Sequence, residues 1–226
     1  MSVHLQREID KLKKQILALS AEVETDFRAA VQAVEDRNPE LALDVISGEN
    51  RTNAMEVDVE EECLKILALY QPVAADLRYI IAVLKINQDL ERIGDLAVHI
   101  AERSRELCSQ PPLDMPFRLG DMADKTRQQL KKVLDAFVNM SEEQARAVCT
   151  GDGEIDDFNH EIFRQVKDAV MKNPERFETL LNVMSIARHL ERIGDHATNI
   201  AEDLIYLIEG RIVRHTAEVS DKAGKQ

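Results

Sequence analysis

LERIGDLAVHIAE at residues 90–102 and LERIGDHATNIAE at residues 190–202 decide how this chain is read. The two stretches share ten of thirteen residues at a constant offset of one hundred. Chance does not produce identity of that density, so the chain is one unit used twice. Leu90, Ile93, Ala97 and Ile100 recur at three and four residues, the spacing that lines one face of an α-helix. Each stretch therefore sits on a helix with an apolar side and an acidic side.

Outward from this segment the helical period dominates. Leu5, Ile9, Leu12, Ile16, Leu19, Val23, Phe27, Ala30 and Val34 predict one helix from Val3 to Asp36. Arg37–Asn38–Pro39 breaks it, with Pro39 suited to the first turn of a helix from Glu40 to Leu69. Gln71–Pro72 marks the next turn, and a third helix runs from Val73 to Cys108. Ser109–Gln110–Pro111–Pro112, with Pro116 beyond, is a linker at the midpoint, after which the pattern restarts. A fourth helix is expected from Leu119 to Asn139. Ser141 before Glu142–Glu143–Gln144 resembles a capped start for a fifth helix reaching Lys172. Asn173–Pro174 turns the chain into a sixth helix, from Glu175 to Glu209, with Gly210 as its stop. Long helices joined by short turns pack antiparallel. The expected fold is all-α: two tandem antiparallel three-helix bundles related by internal duplication. They occupy residues 1–109 and 119–215, with a linker at 110–118 and a polar tail at 216–226.

The composition excludes several functions. Only 8 Gly and 6 Pro punctuate 226 residues, too few for the turns of a β-sandwich or barrel. A net charge of −13 disfavours nucleic acid and anionic membrane surfaces, which require a basic face. Cys63, Cys108 and Cys149 form no CxxC pair, so neither a zinc knuckle nor a disulfide scaffold is expected, and a reducing compartment fits. Met1–Lys14 is charged and lacks a signal-like apolar stretch, and no apolar run approaches ~18 residues. A cytoplasmic location is expected.

The acidic side is the candidate site. Glu91, Asp95 and Glu102 share a helical stripe, as do Glu191, Asp195 and Glu202, with His99 and Asn199 beside them. The second helix offers Glu49, Asn53, Glu56 and Glu60, and the fifth offers Asp152, Asp156 and Asn159, with Phe163 in the fourth place. An acidic stripe opposite an apolar one is ordinarily a solvated surface. Three features argue for more. Like charges at i,i+4 cost a few tenths of a kcal/mol unless a cation offsets them. No Lys or Arg lies between the acids on the stripe, Arg92 and Arg103 being read as pointing elsewhere. The acids also survived a duplication in which neighbours drifted. Oxygen donors with an occasional His or Asn suit Mg, Mn, Fe, Zn or Ca. Gly94 and Gly194 sit mid-helix at a cost of about 1 kcal/mol relative to Ala, which implies close approach of a backbone or ligand. No histidine has Glu three residues earlier, so the paired ExxH ligands of a ferritin-like di-iron enzyme are missing, and Asp157–His160 only approximates one. No phosphate-cradling Gly loop, Ser/His/Asp set or reactive-Cys setting is found.

QPVAADLRYI at 71–80, KINQDLERIGDLAVHIAE at 85–102 and HLERIGDHATNIAE at 189–202 resemble the PhoU family of phosphate-signalling regulators, and the resemblance covers essentially the whole chain. It implies two three-helix bundles and multinuclear metal clusters, often iron or zinc, held by E(D)xxxD motifs. Glu91–Asp95, Glu191–Asp195 and Asp152–Asp156 match that motif. Glu49–Asn53 departs from it, and His99 stands where the second copy has Asn199, so the first-half site is expected to bind fewer ions or to bind them more weakly. The resemblance further implies a negative regulator of phosphate uptake that is not an enzyme. It would bridge the ATPase subunit of a phosphate ABC transporter and a membrane sensor histidine kinase, reach the membrane only through those partners, and form dimers or higher oligomers. A helical di-metal carboxylate enzyme and a metal-free structural adaptor are the alternatives.

Overall fold

Caps and turns set each helix where the local sequence asks for it. In the computed structural model, which describes residues 3–112, 117–151 and 153–210, α1 spans Val3–Glu35, α2 Pro39–Tyr70 and α3 Ala74–Cys108. The Asn38 side chain accepts from the backbone N–H groups of Glu40 and Leu41, and Pro39 occupies the first turn, where a missing N–H costs nothing. Beyond the linker come α4, Leu119–Asn139, α5, Glu142–Thr150, α6, Gly153–Lys172, a 3-10 turn at Pro174–Arg176, and α7, Phe177–Glu209. Ser141 caps α5 by accepting from the Gln144 N–H at 3.4 Å. Gly210 ends α7 at φ 74°, a left-handed conformation that favours glycine. Every element assigned among the described residues is helical, so the all-α class holds. Pro116 of the linker, residues 211–215 and the tail at 216–226 lie outside the described residues.

One expected element is corrected. The single fifth helix is two, α5 and α6, interrupted at Gly151. Gly151 and Gly153 fall within three residues, each costing about 1 kcal/mol in a helix interior. The Gly151 N–H turns back to the Val148 carbonyl at 3.0 Å instead of continuing the α-helical ladder. The corresponding place in the first half has Gly48 alone, and α2 runs through it unbroken.

The two bundles are not separate bodies. α3 and α7 pack antiparallel along their length, with Arg78 Nε donating to the Leu207 carbonyl at 3.1 Å near one end and His99 stacked on His189 farther along. α1 and α2 cover α3, while α4, α5 and α6 cover α7. One continuous apolar core runs through both halves. Its central positions repeat: Ile80, Val83, Ile86, Leu90, Ile93, Ala97, Ile100 and Ala101 are buried, and so are their counterparts Leu180, Val183, Ile186, Leu190, Ile193, Ala197, Ile200 and Ala201. Burial of each large aliphatic side chain contributes roughly 1.5–3 kcal/mol, so the α3–α7 pair is the energetic spine.

Gly94 belongs to this packing. A Cβ there would lie 3.3 Å from Thr52 Cγ2 and 4.0 Å from Val23 Cγ2. Thr52 is pinned, because its hydroxyl donates to the buried Asp26 carboxylate at 3.0 Å. Burial raises the Asp26 pKa above its ordinary value, and the hydrogen bond from Thr52 opposes that shift. Gly94→Val is expected to overpack this contact and cost about 1–3 kcal/mol in urea unfolding. Combining Gly94→Ala with Thr52→Ser removes the offending methyl and keeps the hydroxyl. That double variant is expected to recover about the 1 kcal/mol that glycine costs the helix.

Candidate metal centre and the seam between the repeats

Glu91 and Asp95 emerge from α3 one turn apart, each half-buried. Across from them on α2 lies Glu56, held by Asn87, whose amide donates to the Glu56 carboxylate at 2.8 Å and to its backbone carbonyl at 3.0 Å. Burial first, then Asp95 and Glu56, push the Glu91 carboxyl above its ordinary pKa, with Arg92 pulling the other way. Glu56 is raised too, by burial and by Glu60. The first half therefore gathers mutually repelling carboxyls from two helices. Asn87 could have been flagged as a polar residue at a core position between Ile86 and Leu90, and it identifies Glu56 as a member of the site.

The reading of Arg92 as pointing elsewhere is corrected. Its guanidinium lies 3.3 Å from Glu91 and 3.5 Å from Asp95, spanning both. The three- and one-residue separations let an exposed guanidinium fold back along the helix. The Asn87–Glu56 contact fixes one point of the antiparallel packing of α2 on α3, and Thr52 against Gly94 fixes another. Glu49 and Asn53 are themselves exposed.

In the second half Glu191 is half-buried and lines a groove of about 530 Å³ with Asn159, Phe163, Leu181, Met184, Ser185 and Arg188. Asp195 is exposed and Asp156 half-buried on α6. Asp152 lies outside the described residues. His99 and Asn199 both turn to the opposite repeat. The His99 ring stacks on His189 with centroids 5.4 Å apart. The Asn199 amide donates to Asp89 at 3.4 Å, where His196 also meets the same carboxylate oxygen at 2.8 Å. Lys85 pairs with Asp203 at 3.2 Å. Glu91 shares a groove of about 630 Å³ with Glu202 and Asp203 of the other half.

The donor chemistry fits a hard cation, since these are carboxylates in i,i+4 pairs whose crowding a cation would relieve. Among the described residues the acids gather as pairs, and no three Asp, Glu, His or Cys side chains enclose one point. Pairs suit an ion that keeps several waters. No helix among the described residues is long and apolar enough to cross a membrane.

A duplicated all-helical protein, with two bundles fused on one antiparallel seam and a carboxylate pair on each central helix, is the class that fold and site define. The family model for the PhoU domain matches residues 16–104 and again 119–204. The chain is 36% identical over 209 residues to the phosphate-specific transport system accessory protein PhoU homolog of Aquifex aeolicus, covering 92% of this chain and 95% of that one. It is 33% identical to the accessory protein PhoU of Escherichia coli K12 over 92% of this chain and 86% of that one. The crystal structure of PhoU from Pseudomonas aeruginosa superposes with a TM-score of 0.88 at 35% identity, covering 91% of this chain and 99% of that one. The phosphate transport system regulatory protein PhoU of Streptococcus pneumoniae superposes at 0.81 with 28% identity, covering 92% and 99%. This chain belongs to the PhoU family.

The seam has a pH signature. Burial, then His99, Arg103, Arg192 and Arg188, lower the His189 pKa from 6.5 to about 4. As pH falls the unfolded chain therefore takes up this proton before the folded one does, and stability drops from about pH 6.5 towards pH 4. His189→Gln is expected to flatten that part of the curve, measured as thermal unfolding midpoint between about pH 7.5 and 4.5.

Proposed function

We propose that this chain is an accessory protein of phosphate-specific transport that acts as a negative regulator of phosphate uptake and of phosphate-starvation signalling. The observation that carries this reading is the correspondence over nine-tenths of the chain with relatives named as accessory proteins of that system. The reading is of a cytoplasmic adaptor, not an enzyme, working as a homodimer or higher oligomer. Its partners are the ATPase subunit of the phosphate ABC transporter and a sensor histidine kinase, and it meets the membrane only through them. Long helical faces that differ between the repeats support an adaptor with two unlike partners. Deleting the gene is expected to derepress high-affinity phosphate uptake in phosphate-rich medium. Unchanged expression of the uptake system in the deletion strain would remove the proposal.

The adaptor is proposed to carry metal ions, of the iron, zinc, manganese or magnesium type, on its carboxylate pairs. Glu91, Asp95 and Glu56 would hold them in the first half, and Glu191, Asp195, Asp156 and Asp152 in the second. A bound cation would neutralise each pair and stiffen the helix contact beneath it. In the first half it would also displace Arg92 from Glu91 and Asp95. Elemental analysis of gently purified protein is expected to show metal that is lost on Glu191→Ala with Asp195→Ala. Metal content equal in the two preparations would count against the second-half site.

A further inference from the structure

The duplication that repeats the buried side of the α3–α7 seam inverts the charge of its open side. Because the helices run antiparallel, each end of the seam brings residues from one copy of the motif against residues from the other. At one end Lys85, Asp89, Asn199 and Asp203 come together, joined by the Lys85–Asp203 pair at 3.2 Å and the Asn199–Asp89 hydrogen bond at 3.4 Å. One hundred residues on, or back, their counterparts are Ser185, His189, His99 and Arg103. These meet at the other end, with His99 stacked on His189 and the Ser185 hydroxyl 3.1 Å from His189 Nε2. Gln88 is likewise replaced by Arg188. Aspartates at two of these places have become a histidine and an arginine, in a chain whose net charge is −13.

Two of the cations at this end lack an ion-pair partner among the described residues. Arg92 lies on Glu91 and Asp95, but its counterpart Arg192, like Arg188, makes no ion pair among the described residues. Both are exposed. Arg103 donates to both carboxylate oxygens of Glu106, on its own helix, at 2.9 and 2.8 Å. All three guanidiniums and His99 are close enough to act electrostatically on His189. His189 Nδ1 is buried without a hydrogen-bond partner. Like charges held together from two helices repel unless an anion lies between them, and planar guanidinium forks match the paired oxygens of a phosphate-type anion.

We propose that the basic end of the seam, formed by His99 and Arg103 of the first repeat with Arg188, His189 and Arg192 of the second, binds a multiply charged oxyanion of the phosphate type, tying the two repeats together. The site adjoins the second-half carboxylate pair, since Arg188 lines the same groove as Glu191, and it does not depend on the accessory role. Free inorganic phosphate and a phosphoryl group on a larger molecule share this chemistry. The test is isothermal titration calorimetry of the full chain, treated with a chelator, against inorganic phosphate, pyrophosphate and ATP. Arg188→Gln with Arg192→Gln removes two exposed side chains outside the core, and circular dichroism checks that it folds. That variant is expected to bind at least about tenfold more weakly, a loss in keeping with two charge-assisted contacts. Lys85→Gln, at the acidic end, is expected to leave binding unchanged. Tightest binding of inorganic phosphate supports the free anion as ligand, and binding of pyrophosphate or ATP alone supports a phosphoryl group. Absence of binding to all three at millimolar concentration would overturn the proposal. So would equal affinity of wild type and the double arginine variant.

Discussion

The antiparallel packing of α3 on α7 is the constraint on which the rest of the molecule depends. Each three-helix set needs a hydrophobic partner for the exposed flank of its longest helix, and the other set supplies it. Because the repeats present the same residues at the same places, Leu90, Ile93 and Ile100 are answered by Leu190, Ile193 and Ile200 in a single core. The linker has little to hold in place beyond this. It is nevertheless tied down, with Arg37 donating to the Leu107 and Gln110 carbonyls and Arg176 to the Pro112 carbonyl at 2.9 Å.

Some polar groups inside this packing are matched by partners on neighbouring helices. Glu62, in the α1–α2 contact, meets Lys11 and Lys65, and those hydrogen bonds hold its carboxyl below the ordinary pKa against the opposing effect of burial. Asp26 is satisfied by Thr52, and Thr52 in turn forms the wall that requires glycine at position 94. The retained glycine of the motif is thus explained by helix contact in the first half, without a ligand. The acids beside it are a different case. Burial, then the nearby Asp95 and Glu56 carboxylates, raise the Glu91 carboxyl, with the Arg92 guanidinium opposing that shift.

Much of this was legible in the sequence, for a physical reason. The helices are long and their apolar period unbroken, so their ends fall where Pro39, Ser141 and Gly210 place them. The second-half break escaped because a lone Gly48 is tolerated in α2, and only the pair Gly151 and Gly153 tips the balance. Glu91 and Asp95 were visible as a pair, since i,i+4 spacing fixes their common face. Which third group joins them was not, because Glu56 is brought there by the packing of α2 on α3, where the Asn87 amide holds it. Arg92 was misread for a related reason: periodicity fixes where a Cβ points, while a long guanidinium stem can double back over its own helix.

The seam also explains how a duplicated protein becomes two-sided. On its buried side a substitution in either repeat disturbs the core that both share, so the two copies stay alike. On the open side each residue meets a residue at a different position of the other repeat's motif, as Asp89 meets Asn199 and His189 meets His99. A change at one of these places alters one end and leaves the other untouched. Drift there is therefore uncoupled, and the ends could take opposite charge while the backbone stayed symmetric. The acidic end lies in the groove that Glu91 shares with Glu202 and Asp203, and the basic end lies beside Glu191, so each carboxylate pair sits in a different electrostatic field. The opposite charges at the two ends follow from the same antiparallel geometry, and neither repeat alone could provide both.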